Sequence, residues 1–498
     1  MICILIRGFL SVKTRLGEFM SSQGTNYPPG YYLAGFTVVR IPKSAVLSVK
    51  SCWLSEHIPF ELHGLNAQLG LSFALYSEFL RGGSSRWYGY LRSLPSSVDL
   101  PVFWAYDQPS AHGRGGGSGI VGALTGNYDH DDPMLWLHGT EVLRRLNERN
   151  RKGLRLPEAI DLYYQDHVLP VLKRPDIRHL LEQEPALNGF RHAFGLVSSR
   201  AFLLDVYHGL AMTPIADVFN HVVENHVHIQ SDFYVCSECG SLRECEHDDA
   251  HHDSTLKLNG ETSDQDFFYE MVSNADIAPN EEIFNTYGEK LSNAELLIQY
   301  GFILDSNESD VVHFDLAEIT SLFASTPNGA VNPLPFSTWR RRDGRISFQL
   351  WKLLLQLLVS RGNRTKATEH WSMLGSLSKE ELIEAAVTQI HVERKLHGNG
   401  PDDQELESSN VHESLWTQVL LEMARVVVRL CETKKETIGH PVYVGQDFGE
   451  ILDSVPVDRQ RLRLAVSVAM SECSILDSCK FAWMDVIDVL TSDDDVIE

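Results

Sequence analysis

Two short segments concentrate the residues whose types could do chemistry. One is MTPIADVFNHV, beginning at Met212. The other is IAPNEEIFNTYGEKLSNAELLIQYGF, which ends at Phe302, and Asn220 in the first lies 67 positions before Tyr287 in the second. Between them sits a polar insert in which Cys236, Cys239, Cys245 and His247 form C-x2-C-x5-C-x-H. That spacing supplies four soft or borderline ligands suited to zinc, and a loop with little apolar content gains order from a metal. The alternative is an unstructured insert with free thiols, and both readings stay open. His221, His226 and His228 lack the helical H-E-x-x-H spacing and the nearby carboxylates of a hydrolytic metal site, so none is assigned. Read one at a time, Tyr287 could be a core tyrosine, Asp217 a helix cap and Arg200 half of an ion pair.

The elements that must position these residues fall into two kinds. Tyr31–Ser48 alternates β-branched and apolar residues around a proline, which predicts short strands and a turn. Leu65–Leu94 switches to helical spacing, interrupted at Gly82 and Gly83, and Pro157–Leu169 and Phe190–Leu204 also read as helix, the former closed by Pro170. Ser110–Asp132 reads as a Gly/Ser/Asp loop. Met212–Phe302 is strand-like outside the polar insert. After Asp305 the pattern becomes long amphipathic helices at Ser347–Arg361, Ser378–Leu396, Leu415–Thr437 and Arg459–Thr491, with a linker at His397–Glu405.

Taken as an ordered set, ADVFNH and EEIFNTYG resemble the C-terminal half of a SET domain, the protein-lysine methyltransferase fold. The trailing SNAELLIQYGF is similar to the Rubisco large-subunit methyltransferase subgroup. LGLSFALYSEFL, SRWYGYLRSLP, PVFWAYD and FRHAFGLVSSRAF follow that subgroup's order, closest to its fungal ribosomal-protein lysine methyltransferase branch. The resemblance implies an α+β fold: a SET domain of small β-sheets with a pseudoknot and a helical insertion, followed by an all-α substrate-binding domain. The corresponding divisions are a divergent or non-native segment at 1–30, the SET domain at 31–310, and the helical domain at 311–498. Within the SET part, the helical insertion covers about 60–205 and the Cys/His-rich insert about 232–265.

The same resemblance implies methyl transfer from S-adenosyl-L-methionine to a lysine side-chain amine of a basic protein, first of all a ribosomal protein, or else a histone-like one. Such an in-line displacement rests on positioning, and an apolar channel favours the neutral amine. By the family's motif, Tyr287 sits at the methyl-transfer point, while Asn220, His221, Tyr287 and Tyr300 contact the cofactor. Ser199, Arg200 and Asp217 fall at the lysine channel, with Ser199 and Asp217 offering carbonyl oxygens. The Gly-x-Gly loop that opens SET domains is not reproduced in MSSQGTNYPPGYYLAG, and Gly113–Gly119 comes about eighty residues too late. The alternative function is therefore an inactive SET scaffold that binds proteins.

Composition narrows the field. Lysine and arginine number 43 against 67 acidic residues, a net charge of −24, which is the reverse of a general nucleic-acid binder and agrees with a basic protein partner. Eight cysteines are too few for a disulfide-built secreted domain. No run approaches the roughly 18 apolar residues of a membrane span, and Arg7 interrupts the signal-like MICILIRGFL. These features lead to the expectation of an intracellular protein of the nucleus or cytoplasm. The acidic end, Ser492–Glu498, reads as a frayed terminus.

Overall fold

A computed structural model describes residues 34–107, 131–242, 245–247, 268–323, 346–361, 409–443 and 445–492. The N-terminal segment 1–30, Gly113–Gly119, the helix expected at Ser378–Leu396, the linker His397–Glu405 and the end of the acidic tail lie outside the described residues. The chain divides into two compact units.

The first unit comprises Met1–Ala111, Leu146–Leu291 and Glu295–Phe302. Its strands are β1 (Thr37–Pro42), β2 (Leu47–Ser48), β3 (Ala201–Leu203), β4 (Leu210–Met212), β5 (Asn220–His221), β6 (Val227–Gln230), β7 (Phe268–Ser273) and β8 (Phe284–Asn285). They form a five-stranded sheet in the order β1-β7-β6-β8-β5 and a three-stranded sheet in the order β2-β4-β3. In β1 the inward residues Val38 and Ile41 meet Tyr269 and Met271 of β7 in one core, together with Val46, Ala211, Phe219 and Val227. A bulge between Thr37 and Val39 shifts the β1–β7 register.

The decisive topology is at β8. It pairs in parallel with β5, Asn220 opposite Phe284 and His221 opposite Asn285, and in parallel with β6, Val227 opposite Asn285. Residues 222–226 join β5 directly to β6, so the later strand lies inside a loop formed by earlier chain. Threading of this kind is rare in globular proteins. Asn285 is 97% covered as a result, at 3% exposure, and its carbonyl accepts from the Val222 N–H at 3.0 Å.

Helix α1 (Gly64–Leu80) is buried along most of its length, which explains why its sequence is apolar almost all round. Gly82, at φ 53°, ends it. Helix α2 (Leu156–Tyr163) does not run unbroken to Pro170. A π turn at Tyr164–Val168 intervenes before a last turn at Leu169–Leu172. Proline has no N–H for the preceding turn, and a wide turn absorbs that loss. Helix α3 (Leu187–Arg200) stops four residues earlier than the apolar pattern suggests, because Ala201–Leu203 pairs with β4 instead. Tertiary pairing overrides local helical spacing there.

The second unit gathers His112–Arg145, Ser292–Ala294 and Ile303–Glu498, so it is discontinuous in sequence. Its helices include α5 (Leu316–Ser321), α6 (Phe348–Arg361), α7 (Ser409–Lys435), α8 (Phe448–Ser454) and α9 (Gln460–Ser492), with α4 (Asn293–Tyr300) preceding them in the chain. Met423, Val427, Leu430 and Cys431 of α7 share a core with Ala469, Cys473, Leu476 and Cys479 of α9. Trp136 stacks on Tyr443 at a centroid distance of 5.1 Å, which fixes the earlier segment to this helical body. No helix among the described residues is long and apolar enough to cross a membrane.

Candidate functional site

The β5–β8 pairing brings the two chemistry-bearing segments side by side. Tyr287, two residues past β8, donates its hydroxyl to the Phe219 carbonyl at 3.0 Å, and its main-chain N–H donates to His221 Nδ1 at 3.0 Å. The His221 ring stacks on Tyr287 (5.1 Å, 27°), and Tyr300 stacks on Tyr287 (4.6 Å, 26°). Phe302 meets Tyr287 edge-on at 6.2 Å. Because His221 Nδ1 accepts, a neutral ring carries its proton on Nε2. Burial holds the His221 pKa below its ordinary value, which agrees with a neutral imidazole.

Local chain signals build this aromatic wall. Helix α4 carries Tyr300 at its last position, and Gly301 ends it in the left-handed conformation at φ 80°. The Gly301 N–H returns to the Leu296 and Leu297 carbonyls, closing the helix and turning Phe302 toward Tyr287. A side chain at Gly301 would stand 2.7 Å from the Asp99 carbonyl, so the turn also needs the missing Cβ.

Arg200 and Asp217 form the second part. Arg200 ends α3, and its Nη1 donates to the Asp217 carbonyl at 2.8 Å and lies 3.8 Å from Asp217 Oδ2. Asp217 sits in a 3-10 turn, Ala216–Val218, immediately before Phe219. Tyr90 donates its hydroxyl to Asp217 Oδ2 at 2.7 Å. Burial raises the Asp217 pKa, against the hydrogen bond from Tyr90 and the charge of Arg200. Burial likewise raises Tyr287, with Arg200 opposing and Asp217 adding, so this pair and the tyrosine share one electrostatic neighbourhood. Tyr300 is pushed up to about 12 by burial and by Tyr287, so at neutral pH the phenol stays protonated.

Among the described residues, Asp217 Oδ1 and Thr213 Oγ1 are buried without a hydrogen-bond partner. Such atoms are costly and occur where a ligand or water completes the set. Ile215, between them in sequence, is 40% exposed and holds φ at 74°, a strained conformation for a β-branched residue.

The remaining sequence candidates divide by contact. Asn220 is exposed, and its amide donates to Glu282 Oε1 at 2.7 Å. Ser199 turns its hydroxyl back to the Gly195 carbonyl at 2.9 Å, so any contribution to a channel would come from its main chain. The Asp217 carbonyl already accepts from Arg200, which occupies one of its two lone-pair directions. His226 and His228 are engaged separately, His226 Nδ1 accepting from the Phe284 N–H at 3.3 Å and His228 Nδ1 bonding Asn274.

Sequence reading left Tyr90, Glu282 and Phe302 without roles. Tyr90 lies in SRWYGYLRSLP and Glu282 in NEEIF, yet only the fold shows that the Tyr90 hydroxyl meets Asp217 and the Glu282 carboxylate meets Asn220.

No family model matches the chain. Among solved structures, Rubisco LSMT bound to AdoMet superposes with a TM-score of 0.51 at 16% identity, covering 93% of this chain and 85% of that one. The SET domain of LSMT bound to MeLysine and AdoHcy gives 0.51 at 14% identity over 97% of this chain and 93% of its own. The chain has an LSMT-type SET fold. Sequence relatives agree with it. Ribosomal lysine N-methyltransferase 3 of Saccharomyces cerevisiae is 25% identical over 332 residues, 56% of each chain. The N-lysine methyltransferase setd6 of Xenopus tropicalis is 23% identical over 282 residues, 54% of this chain and 48% of its own. The chain therefore spans about half the length of these curated relatives.

Proposed function

We propose that the chain is an S-adenosyl-L-methionine-dependent protein-lysine N-methyltransferase acting on a basic protein, a ribosomal protein first, in the nucleus or cytoplasm. The observation that carries this reading is the Tyr287 hydroxyl held at the Phe219 carbonyl by the parallel β5–β8 pair. The relative from yeast whose name specifies a ribosomal substrate, and the net charge of −24, favour that substrate class.

The residues present fit the cofactor. An exposed amide at Asn220 and a wall of His221, Tyr287, Tyr300 and Phe302 offer polar and flat apolar contacts for an amino-acid end and an adenine. When bound, S-adenosyl-L-methionine supplies a methyl carbon made electrophilic by its sulfonium. Tyr287 and the Phe219 carbonyl fix one end of the reacting line, and a phenol raised in pKa remains a hydrogen-bond donor or acceptor rather than a phenolate. Arg200 is held by Asp217, so its charge is partly balanced before a cationic lysine approaches. The half-buried surroundings favour the neutral amine over the ammonium by desolvation. The helical second unit is proposed as the docking domain for the substrate protein.

The test combines two measurements on the purified chain. Calorimetric titration with S-adenosyl-L-methionine should show saturable binding, and transfer of labelled methyl to a ribosomal-protein fraction should yield methyl-lysine. Saturable binding would reject the inactive-scaffold alternative, and binding with no transfer to any basic protein would overturn the substrate class. No binding at all would overturn the cofactor assignment and support that alternative.

A further inference from the structure

The insert between β6 and β7 carries a second cluster that the methyl-transfer chemistry does not use. One ligand atom each from Cys236, Cys239, Cys245 and His247 lies within 4.8 Å of all the others. Cys245 Sγ is 3.7 Å from His247 Nδ1. Zinc bonds of about 2.3 Å to sulfur and about 2.0 Å to nitrogen place tetrahedral neighbours roughly 3.5–3.8 Å apart, so this pair already has the required spacing. No other pair is more than 4.8 Å apart, so none needs to close by more than about 1 Å.

The backbone beneath the thiols is shaped for the purpose. Cys236 and Cys239 bracket a tight turn in which the Gly240 N–H donates to the Cys236 carbonyl at 2.8 Å and the Cys236 N–H donates to the Ser241 carbonyl at 2.8 Å. Gly240 sits at φ 73°, where a Cβ would press on the Tyr207 ring at 2.9 Å. Little apolar surface is buried beside the ligands: Tyr234 is 87% exposed and Leu242 39%, while Val235 is buried. Hydrophobic burial therefore does not account for four converging ligand side chains, whereas a bound ion does.

We propose that Cys236, Cys239, Cys245 and His247 form a closed structural zinc site that orders the β6–β7 insert. Three thiolates and an imidazole select zinc over calcium or magnesium, and four protein ligands leave no open position for catalysis. The base of the insert is tied to the body by the Ser231 hydroxyl on the Leu204 carbonyl at 2.8 Å and the Val206 N–H on the Phe233 carbonyl at 3.0 Å. Zinc extends that anchorage outward along the insert.

Elemental analysis of the purified full chain tests this, together with cobalt(II) titration of chelator-stripped protein. The expected result is one zinc per chain and a tetrahedral thiolate–cobalt spectrum. Cys239→Ser and His247→Ala should each weaken zinc binding at least about tenfold, and Cys239→Ser should also lower the thiolate charge-transfer intensity. Zinc retained equally in both variants overturns the assignment, as does a disulfide among the three cysteines in protein purified under reducing conditions. If the variants fail to fold, the wild-type chain decides, since a featureless cobalt spectrum and no zinc overturn the proposal.

Discussion

The Tyr287 hydroxyl donates to the main-chain carbonyl of Phe219 at 3.0 Å, across 68 positions of sequence. A phenol so held cannot swing away without losing its partner, while its ring is clamped between His221 and Tyr300. Position, rather than acidity, is what this arrangement provides.

Tyr287→Phe removes the hydroxyl and keeps the stacked ring. Methyl transfer should fall by at least about 10²-fold, the scale on which a positioned hydroxyl contributes. Thermal unfolding should shift by only the worth of one hydrogen bond, about 1 kcal/mol. Rates with labelled cofactor and melting curves measure the two effects, and an unchanged rate would remove Tyr287 from the chemistry.

Asn220→Ala deletes an exposed amide whose structural partner is the exposed Glu282. Folding should barely respond, while affinity for S-adenosyl-L-methionine should drop about tenfold or more, equivalent to roughly 1.4 kcal/mol. Glu282→Gln keeps a hydrogen-bonding partner for Asn220 and should lose much less. Calorimetric titration of the three proteins separates a direct contact from a merely structural pair.

Gly301→Ala should destabilise the first unit by about 1–3 kcal/mol, because alanine is strained at φ 80° and its Cβ collides with the Asp99 carbonyl. The displaced chain carries Tyr300 and Phe302, so transfer activity should fall along with stability. Melting curves and near-ultraviolet circular dichroism of the aromatic cluster report both. A variant as stable as the parent would show that the turn tolerates a side chain.

In the second unit, Glu472 accepts the Glu141 N–H at 2.9 Å and is fully buried. Burial raises its pKa well above the usual range, and the charges of Glu141 and Asp310 add to the effect. An acid that binds its proton more tightly when folded makes stability fall as pH rises above the unfolded-state value of about 4.3. Glu472→Gln, which is uncharged and of the same shape, should match the parent near pH 4 and be the more stable protein near pH 8. Melting temperatures across that range check the sign, and parallel curves would refute it. Glu141 behaves oppositely: despite its burial, His313 and Arg144 hold it down at about 2, so its contribution is lost only as pH falls from about 4.5 toward that value.

Sequence by itself determined a great deal here. The order of ADVFNH, EEIFNTYG and SNAELLIQYGF marked Asn220, His221, Tyr287 and Tyr300, because short polar and aromatic motifs keep their identity whatever surrounds them. Helical spacing after Asp305 announced α6, α7 and α9 to within a few residues at each end, except that α7 begins earlier, since long amphipathic stripes are set by local periodicity. Only the tertiary structure decided that α3 yields to a strand at Ala201 and that Asp131–Arg145 packs with the helical unit rather than with its sequence neighbours. It alone paired Tyr90 with Asp217 and turned Glu282 toward Asn220. The physical reason is the same in each case. Strand pairing, buried hydrogen bonds and a threaded β8 join residues tens to hundreds of positions apart, and no local pattern encodes which distant partner will arrive.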